Sequence, residues 1–172
     1  NDPEVYRAVA GAGFDFLWIE MQHSPLGYTD VARMIWAGRG CPAIPFIRVP
    51  DATEGDIQKA TDAGALGIVV PMVDTPEKAR AAVAFAKYPP DGRRSYGNQQ
   101  GAALWGDDYR RTFNENLVVV AMIETPEGVA AEHRRRLHAA REPTTTTENL
   151  ARTKQQIAAL RRGTDRLIDA FT

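Results

Sequence analysis

The apolar positions of the chain alternate between two spacings, one near 3.6 residues and one in short unbroken runs, which predicts helices alternating with buried strands. Residues 3–10 read as a helix that stops at Gly11-Ala12-Gly13, and residues 14–21 as an apolar strand. The unit then recurs. Residues 29–37 place Val31, Met34 and Ile35 on one helical face, Gly38 to Gly40 break it, and residues 43–49 form a strand ending Phe46-Ile47-Arg48-Val49-Pro50. A third unit has a helix over residues 54–63, opened by the Asp51/Thr53 cap region, and a strand over residues 66–70 that ends at Pro71. Thr75-Pro76-Glu77 is a helix-start signal for residues 78–87, and Tyr88-Pro89-Pro90-Asp91-Gly92 turns the chain. Residues 93–113, with Gly97, Gly101 and Gly106, read as a long loop that folds over something. Residues 117–123 are the last apolar strand, and Glu124-Thr125-Pro126-Glu127-Gly128 opens another helix.

Strands that are apolar on both faces and separated by helices predict an α/β fold with a parallel sheet covered by helices, either an open sheet or a barrel. Charged and imidazole side chains recur at the carboxyl ends of separate strands, Glu20 and His23, then Arg48, then Glu124. Function collects at that edge in both kinds of α/β fold. A complete barrel of this class takes about 250 residues, and the chain has 172. The expectation is therefore a partial TIM (β/α) barrel with parallel strands plus a C-terminal helical extension.

Charge divides the chain in the same place. Residues 1–132 hold 12 Lys and Arg against 18 Asp and Glu, and residues 133–172 hold 9 against 4. This predicts an incomplete barrel over 1–132 and a basic helical tail over 133–172. Within the tail Pro143 and the threonines after it interrupt the helix, and Leu150, Ile157, Leu160, Leu167 and Phe171 then fit heptad positions. A short helix of that kind needs a partner surface, so self-association is the non-catalytic alternative for this region. The basic tail lacks aromatic interleaving and any recognised reading module, which argues against a nucleic-acid partner. The single cysteine, Cys41, excludes an intrachain disulfide and a Cys-rich zinc site. No apolar run approaches the length needed to span a bilayer, and Asn1-Asp2-Pro3-Glu4 lacks the order of a signal peptide. A reducing cytoplasm and no membrane partner are expected.

Each strand-end residue admits two readings. Glu124 follows an apolar strand and is either a cation ligand or a solvated carboxylate at the start of the next helix. Arg48 offers a fork of donors to a substrate carboxylate, or pairs with Glu20 or Asp51. His23 and Glu20 form an acid/base dyad, or His23 is a surface loop residue.

The segments Phe14 to His23, Phe46 to Pro50, Asp62 to Val73, Tyr88 to Ser95 and Met122 to Thr125 resemble, in order and approximate spacing, the HpcH/HpaI aldolase/citrate lyase family over residues 3–131. The resemblance implies a (β/α)8-barrel ancestry and a carbon-carbon lyase (aldolase). It would act on 2-oxo acids and aldehydes through a pyruvate enolate stabilised by a divalent metal ion, Mg2+ or Mn2+, in a homo-oligomer. It implies that His23 and Glu20 are a catalytic dyad, that Arg48 is catalytic and substrate-binding, and that Glu124 is a metal ligand. A citrate lyase β-like acyl-CoA lyase is the neighbouring alternative. The chain departs from the family pattern where many relatives have Asp-x-Glu-His, since it reads Glu20-Met21-Gln22-His23, and where Met122 replaces a Gln. The strand whose end supplies the family's second carboxylate ligand has no counterpart after Ala131, so truncation and an incomplete ligand set are expected.

Overall fold

The computed structural model describes residues 1–97 and 100–140. The heptad segment expected over residues 148–171 lies outside them. Helix α1 (Pro3–Ala10) starts where predicted because the Asp2 carboxylate accepts the backbone N–H of Glu4 at 2.8 Å and Pro3 needs no hydrogen bond in the first turn. It leads into strand β1 (Phe16–Glu20), followed by α2 (Tyr28–Ala37), β2 (Ile44–Arg48), α3 (Glu54–Asp62) and β3 (Gly67–Val70). Thr53 caps α3 by accepting the Asp56 N–H at 3.2 Å. In the same way Thr75, followed by Pro76, caps α4 (Pro76–Ala86).

After α4 the prediction of a continuous loop is corrected. Residues 100–116 form two short helices, α5 (Gln100–Trp105) and α6 (Tyr109–Asn116). Gly101 reads as a helix breaker in sequence, yet a Cβ there would come within 2.2 Å of the Tyr109 ring. The glycine lets α6 pack closely on α5, and that packing outweighs the roughly 0.5–1 kcal/mol that glycine costs in a helix. Strand β4 (Val118–Ala121) and helix α7 (Pro126–Ala140) follow. Because α7 runs through position 132 without a break, the change in charge falls inside one helix. Among the described residues no helix is long and apolar enough to cross a membrane.

The four strands form one parallel sheet in the order β1-β2-β3-β4. The fold is α/β, a partial barrel in which each strand pairs with the next in sequence. Period-two alternation gives the sheet two unlike faces. Ile19, Ile47, Val49, Ile68 and Val70 point to the helices and belong to the buried core, together with Ile35 of α2, Ile57 of α3 and Ala82 of α4. Phe16, Trp18, Glu20, Phe46, Arg48, Gly67 and Val120 alternate with them and occupy the other face. The register sets Trp18 beside Phe46, Glu20 beside Arg48, and Arg48 beside Val69.

Candidate active site

Register brings the first two candidate residues together. Glu20 and Arg48 are directly paired positions on adjacent parallel strands, with side chains on the same face. Arg48 Nε donates to Glu20 Oε2 at 2.5 Å, and both side chains are largely shielded from solvent. Glu20 Oε2 also accepts the indole N–H of Trp18 at 3.2 Å. The other carboxylate oxygen accepts the backbone N–H groups of Gln22 at 2.7 Å and His23 at 3.0 Å. Burial pushes the Glu20 carboxyl up. The hydrogen bonds from Arg48, the His23 N–H, Trp18 and the Gln22 N–H outweigh it and hold the group below the usual glutamate range. Glu20 is thus an ionised acceptor with both oxygens occupied, well suited to fixing an arginine and poorly suited to taking a proton.

His23 is exposed, and it meets Glu20 through its backbone N–H. Among the described residues its imidazole has no hydrogen-bond partner. The structure therefore joins Glu20 to Arg48, and the exposed His23 meets the pair through its main chain. Ser24 fixes the intervening turn, with its hydroxyl donating to the Glu20 carbonyl and accepting the Leu26 N–H at 3.3 Å.

The guanidinium of Arg48 has five N–H donors, of which Nε serves Glu20. Among the described residues Nη1 finds only the Met122 thioether sulfur, 3.9 Å away, a weak acceptor. The terminal nitrogens are thereby positioned for a planar oxyanion, which Arg binds bidentately.

Glu124 sits just beyond β4, where its carboxylate accepts the Met72 backbone N–H at 2.7 Å. Met72 is the single non-glycine residue with positive φ among the described residues, at 54°. Such a conformation costs on the order of 1–3 kcal/mol and persists where neighbours enforce it. Here the enforcement comes from both sides of the residue. Its N–H is taken by Glu124, and its carbonyl accepts Lys78 Nζ at 3.3 Å. Lys78 also pairs with Asp74 at 2.9 Å, and the hydrogen bond from Lys78 holds the Asp74 carboxyl below its usual range.

A divalent ion of the hard type takes about six to eight oxygen ligands. Glu124 supplies one carboxylate, Asp74 is engaged by Lys78, and among the described residues no group of three or more His, Cys, Asp and Glu side chains is placed to hold a metal. The described residues therefore do not make a divalent-cation site on their own.

A second polar concentration lies elsewhere. The Arg94 guanidinium is buried between the rings of Tyr88 and Phe113, 4.6 Å from each centroid, and pairs with Asp62 at 2.6 Å. It pins the turn after α4 to α3 and α6. A cavity of about 700 Å³ adjoins it, lined by Tyr88, Tyr96, Arg110 and Asn114 among others, but by none of Glu20, His23, Arg48 or Glu124. This opening is therefore separate from the strand-end residues. Of the residues at those strand ends, Trp18 and Met72 escaped sequence reasoning. Trp18 is recoverable by stepping back two positions from Glu20 along a strand.

Residues 1–134 match the family model of HpcH/HpaI aldolase/citrate lyase. The chain belongs to this family. Among its relatives, a hydroxypyruvate/pyruvate aldolase of Rhizorhabdus wittichii is 39% identical over 124 residues, covering 72% of the chain and 49% of the relative. A 5-keto-4-deoxy-D-glucarate aldolase of Escherichia coli is 33% identical over 131 residues, covering 75% of the chain and 51% of the relative. Among solved structures, an HpcH/HpaI aldolase/citrate lyase family protein from Burkholderia cenocepacia superposes with a TM-score of 0.69 at 33% identity, over 76% of the chain and 54% of that structure. The chain spans about half the length of the curated relatives it matches. The family is generally dependent on a divalent metal ion.

Proposed function

We propose that the chain carries the anion-binding and proton-handling part of a carbon-carbon lyase that acts on 2-oxo acids. The observation that carries this reading is the Glu20–Arg48 pair at the carboxyl ends of β1 and β2, which leaves the terminal guanidinium nitrogens available, with His23 held by its main chain at the same carboxylate. A 2-oxo acid presents a carboxylate and an adjacent carbonyl oxygen in one plane, and a guanidinium fork matches that edge. Arg48 binds this edge and stabilises charge that develops on the carbonyl oxygen as a proton leaves C3. His23 carries the proton, since its imidazole is exposed and has no hydrogen-bond partner among the described residues. Glu20 holds Arg48 in place. The relatives named for pyruvate, hydroxypyruvate and keto-sugar acids support this substrate class.

Glu124, oriented by the Met72 N–H, is the carboxylate proposed for Mg2+ or Mn2+, although the described residues do not complete such a site. We also place the protein in the cytoplasm as a homo-oligomer. Free, half-buried Cys41 supports the compartment, and the exposed apolar side chains of the helices, such as Val5 and Trp36, support association.

The test is exchange of the pyruvate C3 protons in D2O, followed by NMR with the full chain and added Mg2+. Exchange above the buffer rate is expected, and Arg48→Ala should lower it about 10- to 100-fold, the loss of a hydrogen-bonded charge contact. A folded chain that gives no exchange, or exchange indifferent to Arg48→Ala, overturns the reading.

A further inference from the structure

The Glu20–Arg48 pair has a third member that the family resemblance does not supply. Trp18 lies two residues before Glu20 on the same face of β1, and its indole N–H shares Glu20 Oε2 with Arg48 Nε. Its ring stands 5.7 Å from the Arg48 guanidinium carbon, within the distance at which a cation is attracted to an indole face. The side chain is about half exposed.

We propose that Trp18 is a positioning residue for the anion-binding arginine. Its N–H fixes the carboxylate of Glu20 from one side while its ring limits the swing of the guanidinium. Arg48 is then left with one orientation, terminal nitrogens outward, before any ligand arrives. Such preorganisation strengthens binding by removing the ordering cost of a side chain with many rotamers. Trp18 also forms the wall next to the bound oxyanion, which favours ligands with a flat, compact head over those branched near the carboxylate. The ligand part of this inference rests on the proposed 2-oxo acid function, whereas the coupling between Trp18 and Arg48 does not.

Two measurements separate the parts. The first needs no ligand: the Arg48 Nε–H resonance, assigned by its loss in Arg48→Lys, is followed for exchange with water. It should exchange more slowly than the Nε–H of exposed arginines such as Arg80, and Trp18→Phe, which keeps a ring but loses the donor, should speed it several-fold. Unchanged exchange in Trp18→Phe overturns the proposal. If Trp18→Phe fails to fold, Trp18→His, which keeps an N–H on a smaller ring, takes its place, and exchange then intermediate between wild type and Trp18→Leu is expected. The second measurement is pyruvate affinity by calorimetry together with the KM and kcat of C3 exchange. Loss of one hydrogen bond predicts affinity weaker by about five-fold and a raised KM with kcat unchanged. Equal affinity in wild type and Trp18→Phe overturns the role in ligand binding. A wild-type chain that binds no pyruvate removes the proposed function, while the exchange measurement still decides whether Trp18 holds Arg48.

Discussion

The two faces of the sheet are built from the same strands and differ in almost everything else. On the helix side Ile47, Ile68 and Val70 are fully buried at 0% exposure. On the opposite side Phe16 and Trp18 are 50% and 47% exposed, although Phe16 stacks on Phe46 with ring centroids 4.8 Å apart. The first face carries no charge in its strands. The second carries the ion pair of Glu20 and Arg48. Stability and chemistry are thus separated by a single step along each strand, because alternate residues face opposite ways. This explains how the chain can hold a charged pair at the ends of strands that otherwise read as pure core.

The largest loss is expected on the buried side. Ile68→Ala removes a side chain at the centre of the sheet, where helices on one side and flanking strands leave little room to relax. A loss of about 3 kcal/mol is expected by urea denaturation. A value below about 1 kcal/mol would mean that the helix face is not the principal source of stability. On the open face the most sensitive position carries no side chain at all. A Cβ at Gly67 would lie 2.3 Å from the Phe46 ring, so Gly67→Ala must push that ring aside. About 2 kcal/mol of destabilisation is expected. Because Phe46 neighbours Trp18 in the register, the same change should also disturb the indole environment, visible as a shift in tryptophan fluorescence.

Much of this separation was legible in the sequence, for reasons that differ by element. The strands were found because each reads as an unbroken apolar run, with apolar residues on both faces. The helices were found from their starts, as at Thr53 and Thr75-Pro76. The two helices at residues 100–116 were missed because Gly101 looks like a breaker when it is a contact point for Tyr109. In the site, Glu20, Arg48 and Glu124 stood out as charges that end apolar strands. Arg48 was legible as a partner of Glu20 or Asp51, and the choice of Glu20 depends on how β1 and β2 align. The bond to Glu124 comes from a main-chain N–H turned outward by the positive φ of Met72, a conformation that a methionine in sequence does not announce.

The smallest effect is expected at the charged end of the open face. Glu20→Gln keeps the shape of the side chain but removes its charge and turns one acceptor oxygen into a donor, which cannot accept from Arg48 or from the backbone N–H groups. Glu20 keeps 30% of its side-chain exposure, which lets water take over part of the lost bonding, so at neutral pH the loss should be about 1 kcal/mol. The sign of its pH dependence follows from the depressed carboxyl of Glu20. A carboxyl that ionises more readily folded than unfolded contributes fully above the unfolded value, about 4.3 for glutamate. That contribution is lost as pH falls through the lower folded value, because both states then carry the proton. The difference in stability between wild type and Glu20→Gln should therefore be constant from neutral pH down to the ordinary glutamate range and shrink below it. Ile68→Ala, which touches no ionising group, should show no such narrowing. Urea midpoints of the three proteins across that range decide the matter: a Glu20→Gln gap that does not narrow in acid would mean that Glu20 acts through packing, as its neighbours on the helix face do, and that the two faces are less different than their side chains suggest.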